Sequence, residues 1–153
     1  MMRGVWRGAL LALLLVGFAV PGQAASEAEV NARIDSLLGH AARYETSIKL
    51  FQQAVAAGDR EDVAAFVRYP IVVTIDGHRR TIRSARTFLD RYDEIMTPDI
   101  VAAVAGQRYA DLAVGRDGVR FGQGEVLIDR ICLDRSCRRF VPKVVSIRHI
   151  GMN

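Results

Sequence analysis

The spacing of apolar residues along the chain predicts helices first and a hairpin after them. In residues 26–57 apolar side chains recur every three or four positions, which predicts helical structure with a candidate break at Gly39-His40. The stripe consists of Val30, Ile34, Leu37, Leu38, Ala41, Ile48, Phe51 and Val55. Asp59 is a typical N-cap for a second helix. That helix must be short, because Pro70 disfavours helical backbone in the residue before it.

The rest of the chain is predicted to form a hairpin first, then further helices, and then strands. Residues 71–75 are almost all β-branched, and Asp76-Gly77 predicts a hairpin whose return strand is 79–82. Helical spacing resumes after Ser84, and Thr97-Pro98 begins another helix that Gly106 ends. Strands are then predicted over residues 112–116, 119–121, 125–132 and 140–150. Helices separated from hairpins indicate an α+β fold, with a curved antiparallel sheet packed against the N-terminal and central helices.

The N-terminal residues have the three parts of a secretory signal. Arg3 and Arg7 precede an apolar run over residues 9–20, which is followed by Pro21-Gly22 and small residues. We therefore expect residues 1–24 to be a cleaved signal peptide and residues 25–153 a single domain that is periplasmic or secreted. The apolar run is shorter than a typical transmembrane helix, so we expect no membrane anchor after cleavage.

Composition and charge narrow the function classes. The chain has 153 residues, of which 50% are apolar and 25% charged, and this excludes disorder and a polytopic membrane protein. Without residues 1–24, which hold two arginines and no acid, 19 basic and 17 acidic residues remain. The dense basic cluster at residues 78–83 contains no aromatic residue for base stacking, so we expect no nucleic-acid partner.

Three segments of the chain have a recognisable pattern: residues 67–73 (VRYPIVV), 88–98 (FLDRYDEIMTP) and 117–126 (DGVRFGQGEV). Together they resemble small secreted bacterial proteins of the nuclear-transport-factor-2-like (cystatin-like, SnoaL-like) superfamily. The resemblance covers about residues 44–150 and implies a cone-like sheet with a pocket at its open end. It leaves activity open, since the superfamily includes isomerases, dehydratases, hydrolases and non-catalytic binding domains. Leu127 departs from it, because many relatives carry Trp there.

Candidate chemistry is limited to acid–base groups and a possible ligand pocket. The acidic candidates are Asp93, Glu94, Glu125 and Asp129, and the imidazole candidates are His78 and His149; each also has a purely structural interpretation. Tyr69, Tyr92, Tyr109 and Phe121 are candidates for a pocket wall or for the core. No nucleophile elbow, paired histidines at zinc spacing or phosphate-binding glycine loop is present, so we predict no catalytic residue, no metal and no cofactor.

Cys132 and Cys137 are the two cysteines of the chain, and we expect them to form a structural disulfide. Exported proteins meet an oxidising compartment where paired thiols persist. The four residues between them form a connection of hairpin length, which would place the cysteines on neighbouring strands. A metal site or a redox pair is the alternative.

These observations favour a non-catalytic binding protein of the cell envelope with a pocket at the open end of the sheet. The pocket residues expected are Tyr69, Tyr92, Asp93, Phe121 and Glu125, and the partner is a small apolar or amphipathic ligand or an envelope protein. An acid–base enzyme that uses a pocket carboxylate is the first alternative, and an inhibitor or immunity-type interaction protein is the second. A filled, wholly apolar interior would favour a surface partner. The sequence does not determine the oligomeric state, and a dimer is one of the states it allows.

Overall fold

The computed structural model describes residues 25–150, so the predicted signal peptide, residues 1–24, lies outside the described residues. Within that range the helices are α1 (Glu27–Leu37), α2 (Ala41–Ala57), α3 (Arg60–Ala65), α4 (Ala85–Asp90), α5 (Tyr92–Ile95) and α6 (Pro98–Ala105), and a 3₁₀ turn spans Tyr109–Asp111. The strands are β1 (Val67–Ile75), β2 (His78–Ile82), β3 (Ala113–Gly115), β4 (Gly118–Phe121), β5 (Val126–Cys132) and β6 (Phe140–Ile147). None of the helices described is long and apolar enough to span a membrane.

The six strands form one open sheet in the order β2-β1-β6-β5-β4-β3. Helices and sheet together confirm the predicted α+β class. All neighbouring strands are antiparallel except β1 and β6, which are parallel. The expectation of a wholly antiparallel sheet is therefore wrong at this pair. A parallel pair needs a long crossover, and here the elements from β2 to β5 provide it.

The helices bury one face of the sheet. Along β1 the side chains of Ile71, Val73 and Ile75 are buried, whereas Val72 between them is 38% exposed. This alternation follows from the two-residue period of a strand with one covered face. The largest fully buried side chains of the core are Tyr44, Phe51, Phe88 and Phe121. The opposite face of β1 is left uncovered.

Local signals set most helix ends where the sequence predicted them. The predicted break at Gly39-His40 is confirmed, because both residues have positive φ (77° and 57°) between α1 and α2. Gly58 ends α2 with φ 68°, a backbone conformation that glycine adopts without steric cost. The Asp59 side chain accepts a hydrogen bond from the Asp62 backbone N–H and caps α3.

Two boundaries differ from the prediction. Strand β1 begins at Val67 instead of Ile71, because Val67 pairs with Val144 of the distant strand β6. Pro70 lies within this strand at the register shift between Val67 and Val72, where its missing N–H removes no regular ladder bond. The single helix predicted after Ser84 is two short helices, α4 and α5, with non-helical backbone at the residue between them.

The disulfide between Cys132 and Cys137 is confirmed, with a Cα–Cα distance of 4.7 Å. Cys132 ends β5 and pairs across the ladder with Phe140, so Cys137 lies in the loop before β6. The expectation that the two cysteines lie on neighbouring strands is therefore wrong. The disulfide therefore links the end of β5 to the loop, and the register of β5 against β6 is set by the hydrogen bonds of the ladder.

Candidate functional site

The interior between the helices and the sheet is filled by apolar side chains. No polar or charged residue is buried in the part of the chain that the structure describes. An interior site for acid–base chemistry needs a desolvated carboxylate or imidazole. Among the described residues the candidates for chemistry therefore lie at the surface or at its edge.

Tyr69 and Tyr92 are joined through the aromatic ring of Phe88. The ring centroid of Phe88 lies 6.2 Å from that of Tyr69 and 5.9 Å from that of Tyr92, and both pairs have edge-to-face geometry. The Tyr69 hydroxyl donates to the Ala64 carbonyl oxygen at 2.9 Å. Burial raises the pKa of Tyr69 to about 12, so this hydroxyl is a neutral donor near pH 7.

Asp93 is a solvated partner of an arginine. Its carboxylate accepts two hydrogen bonds from the Arg60 guanidinium, at 2.8 and 3.1 Å, and its side chain is 78% exposed. The same guanidinium lies 4.7 Å from the ring centroid of Tyr92. The three side chains line a shallow depression of about 480 Å³. An exposed, paired carboxylate of this kind is not desolvated as a general base would need to be.

Phe121 and Glu125 lie apart from that depression. Phe121 is fully buried and packs against Phe51, with ring centroids 6.1 Å apart. The Glu125 carboxylate accepts a hydrogen bond of 2.6 Å from the Gln123 backbone N–H and so closes the turn between β4 and β5. The structure thus brings Tyr92 and Asp93 together in one depression, separates Tyr69 from them by the Phe88 ring, and places Phe121 and Glu125 elsewhere.

Of the remaining acid–base candidates, Glu94, Asp129 and His149 have structural partners, the first of them Arg91, whereas His78 is exposed. A ring nitrogen of His149 lies 3.1 Å from the Ile95 carbonyl oxygen, and the exposed His78 begins β2. The Tyr44 hydroxyl donates to Asp129 at 3.3 Å, and burial raises the pKa of Tyr44. Asp129 is half-buried and accepts this hydrogen bond at the edge of the core. No group of three or more His, Cys, Asp or Glu side chains in residues 25–150 is placed to hold a metal ion.

The uncovered face of the sheet carries a groove of about 520 Å³ across β2, β1 and β6. Its described lining residues include three arginines and no acid, and they are Arg68, Pro70, Val72, Thr74, Arg79, Val145, Ser146 and Arg148. We call this set the sheet-face groove. Its β1 residues are every second residue of the strand, as expected for one face.

The register places two of the arginines on either side of Thr74. Arg79 of β2 pairs directly with Thr74. On the other side Val73 pairs with Ile147, so Arg148 follows Ile147 beside Thr74. Strands are about 4.8 Å apart, which puts the Cα atoms of the two arginines roughly 10 Å from each other. One row of the sheet therefore presents two guanidinium groups on one face.

The charges of the sheet-face groove are not neutralised by nearby acids. Among the described residues, Arg68 and Arg79 form neither an ion pair nor a side-chain hydrogen bond. Arg148 donates from Nε and Nη2 to the Gly124 carbonyl oxygen, at 3.3 and 3.2 Å, and faces no carboxylate there. The groove therefore carries net positive charge.

The basic cluster at residues 78–83 is evident from the sequence, whereas its proximity to Arg68 and Arg148 is not. The alternation of Arg68, Pro70, Val72 and Thr74 with apolar residues was a signal for an exposed strand face. The parallel pairing that brings Arg148 beside them has no local signal, because β1 and β6 are about 70 residues apart.

A second depression, of about 480 Å³, lies between α2 and α3. Leu50, Ala54, Ala57 and Phe66 provide apolar walls, and Lys143 of β6 lies at its edge. The Lys143 ammonium group donates to the Ala65 carbonyl oxygen at 2.5 Å. This depression combines an apolar wall with one cation and with the carboxylates of Asp59 and Asp62.

Comparisons with protein-family models, with curated proteins and with solved structures find no match to this chain. The site therefore has to be interpreted from its own residues.

Proposed function

We propose that this protein is an exported, non-catalytic binding protein, and that the sheet-face groove is its binding surface. The observation that carries the proposal is the contrast between the two faces of the sheet. One face is packed against the helices with no buried polar residue among those described, and the other exposes a long groove with unpaired arginines. Recognition then takes place on the outside of the fold.

Export is supported by two independent features. Residues 1–24 have the sequence of a secretory signal. The Cys132–Cys137 disulfide is typical of proteins that mature in an oxidising compartment such as the periplasm or the extracellular space. The resemblance to the nuclear-transport-factor-2-like superfamily belongs to the same proposal, and the α+β order of helices and strands is consistent with it.

The proposal is tested by mapping where the purified mature protein binds material from the cell envelope. Isotope-labelled protein is titrated with the soluble envelope fraction of the producing cell, and backbone amide shifts are followed by NMR. We expect the perturbed amides to cluster on β1, β2 and β6, at the residues of the sheet-face groove. Perturbations confined to the depression that Arg60, Tyr92 and Asp93 line, or an absence of perturbation anywhere, would contradict the proposal.

A second candidate is the binding of a small amphipathic ligand in the depression between α2 and α3. The observation that favours it is the apolar wall of Leu50 and Phe66 with the Lys143 cation at its edge. The same titration separates the candidates, because an amphipathic ligand would perturb the amides of α2 and α3 instead of those of β1 and β2.

A further inference from the structure

The sheet-face groove has positive charge at both ends and an apolar middle. Arg68 lies at one end of β1, and Arg79 and Arg148 flank Thr74 near the other end. Because of the register shift, the five residue steps of β1 from Val67 to Val72 span only two residues of β6, so Arg68 and Thr74 are roughly 12 Å apart along the sheet. Pro70, Val72 and Val145 line the floor between these ends.

This arrangement selects an anionic partner. A guanidinium group binds a carboxylate through two parallel hydrogen bonds, and such charge-assisted bonds are stronger than neutral ones. Arg68 and Arg79 have all of their guanidinium N–H groups free for such bonds, since the described residues offer them no acceptor. An anion that binds here does not have to displace an existing ion pair.

The same charges disfavour other occupants. A second copy of the chain that used this face about a two-fold axis would bring arginines against arginines, and like charges across an interface are repulsive. The groove has no aromatic lining residue, so it offers unstacked bases no platform. An extended polypeptide fits best, because it spans the length of the groove and can place apolar side chains on the floor.

We propose that the sheet-face groove binds an extended acidic segment of a protein partner, with two acidic residues about four positions apart and apolar residues between them. This inference rests on the proposed function and specifies the chemistry of the partner. One acid pairs with Arg68, and the other pairs with Arg79 and Arg148 on either side of Thr74.

The test uses two fluorescent peptides of identical composition. In the first, two glutamates are four positions apart and are separated by valine and threonine; in the second the glutamates are adjacent. Fluorescence anisotropy with the mature protein is expected to show tighter binding of the first peptide and a loss of affinity as salt increases. Equal affinity for both peptides, or no binding of either, would overturn the inference.

The protein variants isolate the arginines. Arg68→Ala/Arg79→Ala removes two side chains that make no hydrogen bond in the described structure, and we expect it to weaken binding of the spaced peptide by roughly tenfold or more. The control Arg33→Ala/Arg135→Ala removes the same charge from α1 and from the β5–β6 loop, and less than a twofold change is expected. An equal loss in both variants would overturn the inference, since it would indicate a nonspecific effect of net charge.

A conservative variant and a lipid probe complete the test. Arg68→Lys/Arg79→Lys keeps the charge but loses the two-pronged geometry, so intermediate affinity is expected. Vesicles of phosphatidylglycerol and phosphatidylcholine that bind in a groove-dependent way while the spaced peptide does not would overturn the acidic-segment inference in favour of a membrane. If amide perturbations by the envelope fraction still map to the groove, the proposed function survives that result; if they do not, both fail.

Discussion

Two buried tyrosines and one half-buried tyrosine show how single polar atoms are accommodated in this core. The hydroxyls of Tyr44, Tyr69 and Tyr109 each donate a hydrogen bond, to Asp129, to the Ala64 carbonyl oxygen and to Asn31 respectively. Burial raises the pKa of all three, so they stay protonated near neutral pH. A buried ring with a paired hydroxyl adds apolar area without an unsatisfied donor. Their role is structural.

Substitution of Phe121 tests whether the interior is a packed core or a pocket that the ring would line. We expect Phe121→Ala to lower the free energy of unfolding by about 3–5 kcal/mol, because it removes a fully buried ring that packs against Phe51. Urea unfolding measures the change. Leu50→Ala is the control, because Leu50 is 49% exposed and its truncation should cost roughly 1 kcal/mol or less. A cost for Phe121→Ala as small as that of the control would contradict the packed interior.

Among the elements, the loop between β5 and β6 is held by both a covalent bond and a carboxylate. The Leu133 N–H donates to the Arg139 carbonyl oxygen at 2.7 Å and continues the ladder. Asp134 accepts hydrogen bonds from the Ser136 hydroxyl and from the backbone N–H groups of Arg138 and Arg139. The turn is therefore ordered by noncovalent contacts as well as by the disulfide.

Removal of the disulfide by Cys132→Ser/Cys137→Ser should destabilise the protein modestly. A closed loop this short has a closure entropy worth about 2 kcal/mol, and the hydrogen bonds of Asp134 partly order the turn without the bridge. We expect the melting temperature to fall by roughly 3–8 °C in thermal unfolding followed by circular dichroism. A variant that melts within a degree of the wild type would contradict a stabilising role for the bridge.

Asp134 should make stability depend on pH in the acid range. The Ser136 hydroxyl first, and then the Arg139 and Arg138 backbone N–H groups, hold the pKa of Asp134 below its usual value. Its contribution is therefore present above the usual aspartate pKa near 4 and is lost as the pH falls through the lower folded value.

The variant Asp134→Asn should lower the urea midpoint near pH 7 and reduce the further fall between pH 5 and about pH 2. Asp90→Asn is the control, because Asp90 is exposed and accepts no side-chain hydrogen bond in the described structure. The same acid-range dependence in Asp134→Asn as in the wild type would show that the carboxylate does not hold the loop.

The sequence predicted the elements whose signals are local. Asp76-Gly77 gave the hairpin, and both residues have the positive φ that a two-residue turn of this kind requires. Gly58 and Asp59 likewise separate α2 from α3 as expected. The parallel pairing of β1 with β6 was not predictable in this way, because its partners are set by how the whole chain packs and not by any neighbouring residue.

At the scale of the whole molecule, one face of the sheet packs against the helices, and the other is the face that we propose for recognition. Apolar positions predicted the covered face, since alternation along β1 marks which side chains are buried. The groove on the other face was not predictable, because Arg68, Arg79 and Arg148 come together only through the strand order β2-β1-β6. Of the predicted pocket residues, Tyr92 and Asp93 line the same depression, and these two are neighbours in the sequence.

The proposed export of the protein leads to the last prediction. When the full chain is expressed in a bacterium, the protein recovered from the envelope fraction should lack residues 1–24, because the apolar run and the small residues after it fit a cleaved signal. Intact mass spectrometry should give the mass of residues 25–153 with two hydrogens fewer, from the Cys132–Cys137 bridge. Trp6 is the single tryptophan of the chain, so the exported form should also have no tryptophan fluorescence.

The matched control is Leu13→Arg/Leu14→Arg, which interrupts the apolar run without touching residues 25–153. A signal with two charges in its apolar core should not be translocated, so this variant should stay in the cytoplasm at full length with two thiols that react with iodoacetamide. Full-length wild-type protein in the envelope fraction would contradict cleavage, and wild-type protein that stays in the cytoplasm would contradict export. Because the bridge depends on the compartment, the thiol count of the two forms links the disulfide to export in one measurement.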